Sequence, residues 1–263
     1  MHSISHNIAL MAELIQLAYY PDQGDRHLDL YYEGDEIRPE TWDLKHEEHN
    51  KTQVLLGVSS LGRRAVVFPG TNELADWRTN LRVRPVEHVG LPGKWHEGFM
   101  TSAVDILDHV VLPFLSRTQG PILIGGHSLG GALAGCLSAL LAVRSHGEHV
   151  SDVTTWAAPR FTTGPGSAFL EVYYGGRATR IFAGFDIVPH LVPAGILFLR
   201  YRHAFPLLYL GTGGKLSTAY TLRTRLRELV LALSTRGLQV IGHHLFAHYL
   251  TWTRTERRAR HGS

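Results

Sequence analysis

The stretch PILIGGHSLGGALAG, residues 121–135, constrains this chain more than any other. An apolar run of strand character passes through Gly126-His127-Ser128-Leu129-Gly130 directly into a helix of small residues. Glycines two before and two after a serine let the backbone turn sharply from strand to helix without Cβ clashes. Such a turn lifts the Ser128 hydroxyl to the carboxyl end of a sheet, where open α/β folds bind ligands. The helix that follows aims its N-terminal amides, with their partial positive charge, at developing negative charge. Ser128 is therefore the candidate nucleophile, and the Leu129 N–H comes with the turn as a candidate oxyanion donor. The plainer reading is a glycine-rich turn with an idle serine. The strand before it and the helix after it argue against that.

The surrounding pattern fits the same architecture. Short β-branched or aromatic runs at 54–58, 64–68, 121–125, 153–157 and 179–184 read as buried strands. Helical patterns lie between and around them at about 5–19, 97–116, 129–145, 166–174 and 221–235. This alternation predicts an α/β fold with a mostly parallel central sheet covered by helices on both faces. No repeat or linker divides the 263 residues, so one domain over 1–263 is expected. The last stretch, about 253–263 (TRTERRARHGS), reads as a flexible basic tail.

Composition narrows the classes of function. A net charge of +3 is too small for a nucleic-acid-binding stripe, so no nucleic-acid partner is expected. The single cysteine, Cys136, excludes an intrachain disulfide. The N-terminus lacks a basic leader and Glu13 interrupts its apolar run, so it does not read as a signal peptide. A cytoplasmic protein is expected if the sequence is full length, and a secreted one if a leader was removed. The apolar segment at 191–211 is broken by prolines, Arg200, Arg202 and His203, so no transmembrane segment is expected.

Five landmarks then occur in order: Phe68-Pro69-Gly70-Thr71 with Asp76-Trp77 and Leu81; Trp95-His96-Glu97-Gly98-Phe99; residues 126–134; Trp156-Ala157-Ala158-Pro159-Arg160; and Arg180 followed by Asp186-Ile187-Val188-Pro189. With them the chain resembles the class 3, or fungal-type, triacylglycerol lipases of the α/β-hydrolase superfamily over about residues 10–250. The resemblance implies an α/β-hydrolase fold and a serine carboxylester hydrolase. It implies lipid or other ester substrates, transient contact with a lipid interface, and no cofactor. It makes Thr71 the second oxyanion donor and Asp186 the acid of a Ser-Asp-His triad. An Asx turn is the bland alternative for Asp186. Two positions depart from the family pattern: Pro69 stands where arginine is usual, and Ile187 where proline is usual after the acid.

The chain order Ser, Asp, His of these hydrolases puts the base after residue 186. In the family the base stands five residues before a tyrosine, a spacing that His244 and Tyr249 meet. His243 and His248 remain alternatives. His96, His127 and His203 read as packing or hydrogen-bonding residues. The i, i+4 pair His244 and His248 lacks the companion ligands of a helical metal site, so no metal is expected. Residues 72–81 match the family's mobile lid, with an ordinary surface helix as the alternative. The helix over 221–236 reads as scaffold with a solvated basic side. The functional alternatives are a short-chain carboxylesterase, a phospholipase A1, or a non-catalytic lipase-like binding module.

Overall fold

The computed structural model describes residues 6–21, 26–32, 38–70, 84–184, 186, 188–192, 200–211, 216–221 and 246–261. Helix α1 (His6–Ala18) is followed by strands β1 (Arg26–Tyr32), β2 (Arg38–His49), β3 (Thr52–Ser59), β4 (Arg64–Phe68), β5 (Pro85–His88) and β6 (Leu91–His96). The continuous helix α2 (Glu97–Arg117) leads to β7 (Ile122–His127), α3 (Leu129–Val143), β8 (Val150–Trp156), β9 (Thr162–Thr163), α4 (Gly164–Tyr174) and β10 (Ala178–Ala183). The single turn α5 (Val188–Leu191), β11 (Tyr201–Arg202), β12 (Leu207–Leu210), β13 (Leu216–Ser217) and α6 (Phe246–His261) complete the described elements.

The main sheet has the order β1-β2-β3-β4-β7-β8-β10-β12-β13. The pairings β4–β7, β7–β8, β8–β10 and β10–β12 are parallel, and the flanking strands pair antiparallel. Buried on both faces, β4 (RAVVF) and β7 (ILIGGH) are inaccessible along their whole length, as the unbroken apolar runs required. On one face α1 and α6 pack Leu10, Met11, Leu14, Phe246 and Tyr249 against the sheet. On the other, α2, α3 and α4 bury Phe99, Ile106, Leu137, Leu140 and Leu170. A second sheet, β11-β9-β6-β5, was not anticipated from the sequence.

Helix α2 contains a π turn at Leu107–Val111 just before Pro113. Proline has no N–H to continue the regular ladder, and a widened turn accommodates the missing donor. This helix is long and apolar enough to cross a membrane by composition. Here its Phe99, Met100, Ala103, Ile106 and Leu107 lie in the core, which accounts for the apolar composition.

The end of α2 is held by Arg64, a buried residue opening β4. Its guanidinium donates to the Leu115 carbonyl, in the last turn of the helix, and to the Thr118 and Gly120 carbonyls of the connection to β7. Arg64→Leu removes every donor at once and is expected to cost about 2–3 kcal/mol in urea unfolding.

The C-terminal region corrects one expectation. Residues 253–261 are not a tail but continue α6 to His261. Thr253 is buried, and Arg254 donates through Nε and Nη2 to the Glu13 carboxylate of α1 at 2.9 and 2.6 Å.

Candidate active site

The carboxyl ends of the parallel strands gather the candidate residues at one edge of the sheet. Ser128 immediately follows β7, Pro69 and Gly70 follow β4, and Asp186 stands three residues after β10. Ser128 has φ 57° and ψ −125°, a backbone conformation that costs a non-glycine residue of order 1–3 kcal/mol. Its N–H donates to the Trp156 carbonyl at 2.8 Å, anchoring the turn to β8. A Cβ at Gly130 would overlap the carbonyl oxygens of Phe68 and Pro69. The first turn of α3 is therefore pressed against the loop leaving β4. Leu129 is the first residue of α3, where helix geometry offers its N–H no acceptor within the helix.

Gly70 lies against Ser128 itself: a Cβ there would sit 3.0 Å from Ser128 Cβ. Its N–H donates to Tyr19 Oη at 2.8 Å, and Tyr19 Oη is hydrogen-bonded to His127 Nδ1 at 2.6 Å. One phenol from the end of α1 thus joins the loop after β4 to the residue preceding Ser128. Burial pushes the Tyr19 pKa far up, so the phenol stays protonated. Sequence reasoning missed Tyr19, because nothing in LIQLAYY marks which of the adjacent tyrosines turns inward.

Asp186 is buried at 2% exposure. One carboxylate oxygen, Oδ1, accepts from the Val188 N–H at 2.9 Å, and the other, Oδ2, from the Tyr249 hydroxyl at 2.8 Å. Tyr249 Oη also accepts from the Ala183 N–H at 2.9 Å. Full burial, and then the neighbouring Asp186 charge, raise the Tyr249 pKa well above its ordinary value, so it remains a donor. The Asx bond to Val188 therefore coexists with a second, long-range bond. Phe246, at the start of the same helix, sets its ring 5.1 Å from that of His127 and 5.8 Å from that of Trp156. The first turn of α6 thus reaches both the serine turn and Asp186.

Thr71, His243 and His244 lie outside the described residues, as do Asp76, Trp77, the proposed lid at 72–81 and all but the first residue of the helix expected at 221–236. His248 belongs to α6, but its side chain also lies outside them. The other histidines are placed. His127 bonds Tyr19 as above, and the His203 carbonyl accepts from Ser167 Oγ at 2.9 Å. His96 is buried with its ring 4.2 Å from that of Phe99.

Burial lowers the His96 pKa from 6.5 to about 4. A histidine whose folded pKa is depressed adds no penalty above its unfolded pKa, and it destabilises the fold as pH falls from about 6.5 to about 4. The wild type is expected to lose of order 3 kcal/mol over that window through this group, and His96→Phe to flatten that part of a stability-versus-pH curve.

Residues 65–195 match the profile of the lipases of class 3. Over this stretch, about half of its length, the chain is similar to the class 3 lipases. A lipase of Rhizomucor miehei is 32% identical over 140 residues, covering 51% of this chain and 39% of that protein. A chloroplastic phospholipase A1 of Arabidopsis thaliana is 31% identical over 103 residues, covering 36% of this chain and 14% of that protein. Among solved structures, lipase II from Rhizopus niveus superposes with a TM-score of 0.62 over 80% of this chain and 82% of that one, at 19% identity. The aligned part spans well under half of the two curated relatives. The fold is the α/β-hydrolase fold, and the family match contains the serine turn, the loop after β4 and Asp186.

Proposed function

We propose that the chain is a serine carboxylester hydrolase, a lipase cleaving acylglycerols or similar lipid esters. The observation that carries this is the strained Ser128 turn heading α3, with a buried, hydrogen-bonded Asp186 at the same sheet edge. Strands β7 and β10 flank β8, so their ends stand about 10 Å apart. That span suits an imidazole hydrogen-bonded on both sides.

In this reading His244 takes the Ser128 proton as Oγ attacks the ester carbonyl. Asp186 holds the imidazole in the required tautomer and stabilises the imidazolium. The N–H groups of Leu129 and Thr71 hold the oxyanion, each worth roughly 3 kcal/mol in the transition state. Collapse expels the alcohol, which takes a proton from the imidazolium, and water then cleaves the acyl-enzyme by the same steps. His244 stands two residues before Phe246 and five before Tyr249, the side chains that meet the serine turn and Asp186. This supports His244 over His243 and His248.

Tyr19 acts as a positioning residue by fixing the backbone immediately before Thr71. Tyr19→Phe keeps the ring and deletes the acceptor for the Gly70 N–H. Its kcat is expected to fall about tenfold with KM little changed, because a displaced oxyanion donor is felt in the transition state.

The substrate is tested with p-nitrophenyl esters of rising chain length beside emulsified triglyceride and phospholipid. Long-chain preference and activity on emulsions support a lipase. Preference for soluble acetate without interfacial activity would mark a carboxylesterase, and dominant release of fatty acid from phospholipid a phospholipase A1. The phospholipase reading draws on the Arabidopsis relative. Turnover of no ester at all would leave a binding module.

A further inference from the structure

Apart from the residues of the serine turn, the tip of the β2–β3 hairpin meets α2 through His49, Asp105 and His109. The hairpin turns through Asn50 and Lys51, with φ 46° and 65°, the paired positive angles of a tight two-residue connection. This turn sets His49 and Asn50 over the helix. Asp105 and His109 lie one helical turn apart, His109 within the π turn.

Three ligand-bearing side chains converge there. His49 Nε2 is 3.3 Å from Asp105 Oδ1, and His109 Nδ1 is 3.2 Å from the same oxygen. The two imidazoles stack, with centroids 4.3 Å apart and planes inclined by 17°. Asn50 Nδ2 donates to the other carboxylate oxygen, Asp105 Oδ2, at 2.7 Å and orients the group.

We propose that His49, Asp105 and His109 form a surface site for one transition-metal dication of the zinc type. Two imidazole nitrogens and a carboxylate oxygen suit zinc, nickel or copper(II) rather than the all-oxygen shells of calcium and magnesium. Ligands about 2.1 Å from a tetrahedral zinc ion stand about 3.4 Å from one another, close to both nitrogen–oxygen separations here. Asn50 is the outer hydrogen bond that fixes the ligating carboxylate. His109 Nδ1 now also contacts the Asp105 carbonyl at 3.0 Å. Ligation turns both rings out of their stack so that the in-plane lone pairs of His49 Nε2 and His109 Nδ1 point at the ion. The His109 proton moves to Nε2, and His49 Nε2 leaves its 3.3 Å contact with Asn50 Nδ2. His109 is exposed, so water completes the shell. The bound ion would fasten the hairpin to α2 and so stabilise the fold.

Calorimetric titration of the untagged chain with zinc chloride tests this, alongside His49→Ala, His109→Ala and the milder His49→Gln. The expected result is one zinc ion per chain and a raised Tm in the wild type. Each variant should bind about tenfold or more weakly and lose the rise in Tm, while calcium chloride has no effect on any of them. Ester turnover of the variants without added zinc should equal that of the wild type. Zinc binding that is equal in wild type and all variants, or absent from wild type, would overturn the proposal and leave the cluster a hydrogen-bonded contact alone.

Discussion

Replacing Ser128 with alanine is expected to abolish ester hydrolysis, a fall of about 10⁶-fold in kcat, while the chain stays folded. The loss is this large because no other group in the proposed mechanism can form the acyl bond. The backbone adds a second signature. At φ 57° and ψ −125° any side chain is strained, and alanine keeps that strain. Glycine relieves it, so Ser128→Gly should be as inactive as the alanine variant but about 1 kcal/mol more stable. An inactive variant with increased stability is what a strained catalytic position yields, since strain there is retained for geometry. A serine that only shapes a turn would show the stability gain with no activity to lose.

The second large effect concerns the base and its acid. His244→Ala should lower kcat by about 10⁶-fold, with His243→Ala and His248→Ala close to wild type. Asp186→Asn should cost about 10⁴-fold, because the neutral amide favours the wrong imidazole tautomer. Asp186 is also tied to Tyr249, whose hydroxyl bridges the carboxylate and the Ala183 N–H. Tyr249→Phe leaves both buried partners short of a bond and should destabilise by about 1–3 kcal/mol in urea unfolding. If His243→Ala or His248→Ala proved the inactive one, the spacing to Tyr249 would be the wrong guide.

The parts of this molecule legible in its sequence are those written locally. The runs RAVVF and PILIG became β4 and β7 because strands buried on both faces need unbroken apolar sequence. The serine turn was readable because its glycines, strand and helix are contiguous. The strands β9 and β11 are two residues each, too short for any periodicity to register. Strand β2 carried a signal that its charges hid: Glu40, Trp42 and Leu44 alternate inward with exposed Asp43 and Lys45. The C-terminal stretch looked like a tail because its charge was weighed without its partner, and Glu13 lies 241 residues away. Tyr19 is likewise 51 residues from Gly70 and 108 from His127, so its bridging role exists only once α1 packs beside the elbow. For the site itself, the structure places Ser128, Leu129 and Asp186 at the carboxyl ends of the parallel strands β7 and β10.

The central claim is that Ser128 is an activated nucleophile, and covalent labelling tests it most directly. The wild-type chain is treated with a fluorophosphonate and the modified peptide identified by mass spectrometry. One adduct per chain is expected on Ser128, absent from Ser128→Ala and strongly slowed in Asp186→Asn. Failure of the wild type to label, or an adduct on any other residue, would contradict it.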